Sequence, residues 1–262
     1  MFIIQTKNVQ HLKRVIIQLN EDINESIKKS DSFQENMRTN LLALTYSAWS
    51  EAQFIQIIYT PNAFDSNKIN TMLRIKGIFS KWEKLIKYAF EKIEKYNYIQ
   101  KNQDIQILKD TNSISEVSSL CLKYEEEKTE LLNKKNKIIF YLKKYIEKPS
   151  RIRNKIAHGQ WINPLLEPGN NSVDECLKIE LNNLNVVSIM IEFHVHTTLG
   201  KIIRKLIEMK EKDFSSQYAT YIVELEKYLD ETSSHTIESK RERLRQRPKV
   251  VICKTCKDKL SS

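Results

Sequence analysis

The sequence predicts an all-α fold, and three observations carry that expectation. Only 4 glycines and 5 prolines occur in 262 residues, too few for the tight turns of a hairpin-rich sheet. Lys, Glu, Leu and Ile are abundant, and Leu, Lys and Glu lose little conformational freedom in a helix. Apolar residues recur at three- and four-residue steps over long stretches, the period of one helix face.

The first such stretch is 8–29, with Val9, Leu12, Ile16, Leu19, Ile23 and Ile27 on one stripe. The second, 34–59, places Met37, Leu41, Leu44, Ala48, Ala52, Ile55 and Tyr59 in register and ends before Pro61. A third, 66–97, carries Ile69, Leu73, Phe79, Trp82, Ile86, Ala89 and Ile93. Thr111 to Ser113 offer caps for a fourth, 114–147, through Val117, Leu120, Tyr124, Leu131, Ile138, Leu142 and Tyr145. Its middle, Tyr124 to Lys128, is polar all round and reads as solvent-exposed. A short helix from Arg151, capped by Ser150 after Pro149, follows. Residues 162–172 are rich in Pro, Gly and Asn and read as a loop. Helices at about 182–210 and about 216–230 complete a body spanning 1–230.

Residues 231–262 read as a basic tail. The chain has 43 Lys and Arg against 33 Asp and Glu, a net charge of +10. From Thr236 to Ser262 there are nine cations and three anions, so the body is only mildly basic. Such an asymmetry suits a nucleic-acid partner. Arg241, Arg243, Arg245 and Arg247 form a basic helix or arm before Pro248; its readings are phosphate contact, docking to an acidic protein, or solubility. Cys253 and Cys256 have the spacing of half a zinc site, but no second pair completes it. No other cofactor is indicated. Four cysteines make no disulfide framework. The N-terminus lacks signal-peptide character, and no uninterrupted apolar run approaches the ~18 residues of a membrane span, so the expected location is cytoplasmic.

The segment richest in chemistry is Arg151-Ile152-Arg153-Asn154-Lys155-Ile156-Ala157-His158-Gly159-Gln160-Trp161. Arginine is a permanent cation shaped for phosphate oxygens, and histidine exchanges protons near neutral pH. On a helix Arg151 and His158 lie two turns apart on one face, with Asn154 between them. Arg153 must reach round with its long stem, while Ile152, Ile156 and Ala157 can pack inward. The plain alternative is a short basic helix with one partly exposed histidine.

The string Arg153 to Gly159 resembles the R-N-x-x-(A/S)-H signature of the HEPN superfamily, all-helical domains that include many metal-independent ribonucleases of toxin–antitoxin and anti-phage systems. The resemblance spans roughly residues 35 to 210, although only the motif is sharp. It implies an HEPN-like bundle with the motif late in its core, acting as a homodimer whose two motifs face one cleft. In that reading His158 is the acid or base, Arg153 stabilises the phosphorane, and Arg151 and Lys155 contact RNA. Asn154 orients His158 or binds a phosphate. Related proteins place a polar or acidic residue of an earlier helix in the cleft. Glu51, the one charge between Leu41 and Ile58, fits that part with Arg153 as its partner; its alternative is a solvated face. Trp161 can stack on a base or plug the core. The implied partners are RNA, a second copy, and an antitoxin or defence protein. The alternative is an HEPN module that binds RNA or protein without chemistry. His194 and His196 cannot share one helical face and read as ordinary helix residues.

Overall fold

A computed structural model describes residues 1–110, 114–166, 172–208 and 211–246. Those residues are helical almost throughout; a single isolated β-bridge, Leu165 to Val173, is the extended pairing among them. The fold is all-α.

The first two periodic stretches form α1 (Phe2–Lys28) and α2 (Ser32–Ile58), an antiparallel pair turned through Ser30 at φ 57°. Asp31 caps α2 by accepting from the Gln34 amide at 3.0 Å. The third stretch divides into α3 (Ser66–Arg74) and α4 (Ile78–Asp110). The break falls at Gly77, whose φ of +82° is left-handed and costs glycine little. Beyond α5 (Ile114–Leu142) the chain makes a π-helical turn, Lys143–Glu147, and runs directly into α6 (Lys148–Ala157). The expected stop at Pro149 and Ser150 is therefore corrected: proline sits in the first turn of α6, where its missing N–H is tolerated. Ser150 does not cap α6; its hydroxyl donates back to the Glu147 carbonyl at 2.7 Å.

The helix expected at about 182–210 is α8 (Val186–Glu208), and a short helix that the sequence reading did not expect, α7 (Glu175–Asn182), precedes it. Asp174 caps α7, and Asn185 caps α8 by accepting from the Val187 and Ser188 amides at 3.0 Å each. Helix α9 spans Glu211–Thr232, and α10 spans Ile237–Gln246.

Two apolar clusters fill the molecule. One joins Phe54, Ile57, Trp82, Ile86, Ile138, Leu199, Ile203 and Leu225; the other joins Ile16, Ile23, Leu42, Trp49, Ile152, Ile156, Leu181, Phe193 and Leu244. Helices α2 and α8 contribute to both and run as a shared spine. At Gly200 a Cβ would come within 2.4 Å of the Gln53 side chain, so glycine is what allows this close approach. By length and composition α8 alone among the described helices could cross a membrane, and over half of its apolar window is buried here.

Two expectations about faces need correction. In α2 the buried stripe is Leu42, Tyr46, Trp49, Gln53 and Ile57, whereas Leu41 and Ala48 are exposed. That helix is apolar nearly all round, so periodicity could not select the face. Ala157 is likewise exposed, unlike Ile152 and Ile156.

The basic segment also departs from a free arm. As far as Gln246 it is the docked helix α10, lying against α1 and α8. Leu244 is buried, and Arg241 donates from Nε and a terminal nitrogen to Oε1 of Glu35, at 3.2 and 2.7 Å. Glu35 is only 7% exposed, so this contact compensates a nearly buried carboxylate.

Candidate active site

Helix α6 hangs from the second cluster by Ile152 and Ile156, one turn apart on its inner face. Its start is held by Tyr46 of α2. In a regular α-helix the Tyr145 carbonyl would accept from the amide of residue 149, but proline has none. The Tyr46 hydroxyl takes that place, 3.2 Å from the Tyr145 oxygen, and also lies 3.2 Å from Nδ1 of His196. When the hydroxyl donates to the carbonyl, Nδ1 of a neutral His196 donates to the hydroxyl. Burial pushes the Tyr46 phenol up and the His196 imidazole down to about 3, so both stay neutral near pH 7.

The end of α6 is equally defined. Gly159 adopts φ +77°. Its amide donates to the Ile156 carbonyl at 3.0 Å, and the Gln160 amide donates to the Lys155 carbonyl at 2.9 Å. This double cap satisfies carbonyls that a helix end otherwise leaves open. The Trp161 indole N–H adds a bond to the Ile156 carbonyl at 2.9 Å. Trp161 thereby ties the loop to the helix end, and the residue remains 36% exposed. The Lys155 ammonium donates to the Leu165 carbonyl, and the Gln160 side chain accepts from the Leu165 amide at 2.8 Å. Lys155 is therefore engaged in holding the loop.

Asn154, Lys155, His158 and Gln160 line a cleft of about 360 Å³ at this end. His158 is the C-cap residue and is exposed, as is Asn154. Arg153 lies outside this lining. Its guanidinium forms an ion pair with Glu51, bringing together two residues 102 positions apart. Glu51 is half exposed, so it occupies a solvated face and meets Arg153 as well. A pair this accessible stabilises the fold by at most about 1 kcal/mol; its consequence is orientation. Arg153 Nε is buried without a partner. Arg151 is exposed.

The structure therefore joins Asn154 with His158 at the end of α6, and Arg153 of α6 with Glu51 of α2. Gln160 was not singled out from the sequence; its position directly after the helix-ending glycine was the available signal. Arg243 and Arg245 are exposed on α10, and Arg241 is taken by Glu35. Arg247, Cys253 and Cys256 lie outside the described residues. Among the described residues no three His, Cys, Asp or Glu side chains gather as a metal-binding group.

Compared with family models, curated proteins and solved structures, the chain matches none.

Proposed function

We propose that the chain is a metal-independent endoribonuclease of HEPN type, working in the cytoplasm as a toxin or anti-phage effector. The observation that carries this reading is the fixed end of α6, where Asn154 and the exposed His158 share a cleft while Glu51 holds Arg153 beside it. One His158 draws the proton from a ribose 2′-hydroxyl, and the oxygen attacks the adjacent phosphorus. Arg153 stabilises the charge of the phosphorane. The 5′-oxygen leaves with a proton from His158 of a second copy, giving a 2′,3′-cyclic phosphate and a 5′-hydroxyl. Each chain supplies one such histidine, which is why the reading includes a homodimer.

One observation favours a second reading, a module that binds RNA or protein without cleaving. Arg153 is engaged by Glu51 and lies outside the His158 cleft. For catalysis it must turn toward substrate or act across a dimer.

The test is incubation of purified protein with total RNA and tRNA, with and without EDTA, beside His158→Ala. Cleavage indifferent to EDTA and reduced by about 10²–10⁴-fold in the variant supports the enzyme. Dependence on Mg²⁺ would sink the mechanism. RNA binding without cleavage by the wild type would establish the second reading.

A further inference from the structure

A cleft of about 310 Å³ lies where α10 docks, far along the sequence from the motif. One wall is apolar and comes from α8: Val187, Met190 and Ile191. Tyr228 lies beside it, with its ring stacked on His194 at 3.7 Å. The opposite side is polar and basic. It carries the hydroxyls of Thr236 and Ser239, the imidazole of His235, the Lys240 ammonium and the Arg243 guanidinium. Among the described residues no carboxylate lines the cleft.

The two cations are the unusual part. Lys240 and Arg243 are three residues apart on α10, so they share a face and repel. Lys240 is half buried, and its hydrogen bond is to the neutral Asn20 side chain at 3.2 Å. Neither forms an ion pair among the described residues. Burial first, and Arg243 second, hold the Lys240 ammonium below its ordinary pKa. A dianion placed between them would remove the repulsion and replace the water that Lys240 has lost. The Thr236 hydroxyl and the His235 imidazole supply further donors, the Ser239 hydroxyl being spent on the Thr236 carbonyl, while the α8 wall offers apolar surface to whatever carries the charge. The size falls at the lower end of the ~300–1,000 Å³ of small-molecule sites.

We propose that this cleft binds a small phosphomonoester with an apolar or aromatic body, of mononucleotide size. The assignment is independent of the ribonuclease reading, because it uses none of the α6 residues.

The experiment is calorimetric titration of the full chain with AMP and with inorganic phosphate at low salt. AMP is expected to bind saturably at one site per chain. Phosphate alone should compete for that site more weakly, since it lacks the body that the α8 wall would cover. Arg243→Ala and Lys240→Met should each weaken AMP by about ten-fold or more, the scale of a lost charge-assisted hydrogen bond. Arg245→Ala, on the same helix but outside the cleft, should leave affinity within about two-fold, since it removes only a solvent-screened surface charge. Thermal melts of each variant show whether α10 remains docked. Three results would overturn the proposal: no saturable AMP binding by the wild type, affinity unchanged in folded Arg243→Ala, or equal loss in Arg245→Ala. The last would mean general attraction to a basic surface.

Discussion

Tyr46→Phe isolates the hydroxyl that replaces the amide missing at Pro149. The ring stays in place against Trp49, Phe193 and His196, at centroid distances of 6.3, 6.2 and 5.9 Å, so packing is nearly conserved. Two polar groups lose a partner at 3.2 Å, the Tyr145 carbonyl and Nδ1 of His196, and the Glu192 carbonyl loses a longer contact at 3.5 Å. A stranded buried group costs about 1–3 kcal/mol. The histidine can change tautomer and the carbonyl can recover a weak contact, so the sum is roughly 2–4 kcal/mol. Urea unfolding followed by far-ultraviolet circular dichroism reads this as a lowered midpoint with unchanged slope. Pro149→Ala returns an N–H at position 149. In that background Tyr46→Phe should cost less, a positive coupling in a double-mutant cycle. A loss below about 0.5 kcal/mol, within the range of surface substitutions, or costs that simply add, would refute the account of the π-turn.

Two further predictions concern burial. Unfolded His196 titrates near 6.5 and folded His196 near 3, so the unfolded chain binds this proton first as pH falls. Its contribution is therefore fully present above about pH 6.5 and declines by about 1.4 kcal/mol per pH unit below it, down to about pH 3. Urea midpoints at pH 7, 6 and 5 should fall less steeply in His196→Gln; identical slopes would contradict the assignment. Truncation after Asp230 removes Leu244 and Ile237 from the second cluster and Arg241 from Glu35. Unfolding free energy should drop by about 2 kcal/mol or more, the scale of one large core truncation. An unchanged denaturation midpoint would restore the picture of a free arm.

Periodicity made most of the helices legible because each amphipathic stripe is a local property. The α1 stripe, Val9 to Ile27, is buried or half buried throughout, as its spacing requires. The α2 stripe misled because both of its long faces are covered, one by α1 and the other by α6 and α8. The break at Gly77 had a local signal, the glycine itself, that the surrounding apolar run masked, and the Asn185 cap marks the start of α8. The pairing of Arg153 with Glu51 was readable as one lone carboxylate and one available cation. The more deeply buried carboxylate was Glu35, and nothing near it in sequence announces that Arg241 will cover it. The π-turn has the same character: Pro149 marks the place, but its compensation by Tyr46 exists only once α2 and α6 pack.

The α4–α5 pair has a consequence for how the molecule opens. Between residues 94 and 130 none of the described side chains is buried, and the seam holds polar pairs, Tyr124 to Asp104 at 2.7 Å and Lys101 to Glu125 at 3.4 Å. Helical hydrogen bonds persist there with little apolar surface to anchor them. The outer hairpin therefore behaves as its own unit of local unfolding, opening at a free energy well below that of the body. Amide protection should decline outward from Ile93 of α4 and Leu131 of α5, the outermost buried side chains among the described residues of that pair. The described outer turns of α4 and α5 can then exchange while both apolar clusters stay closed.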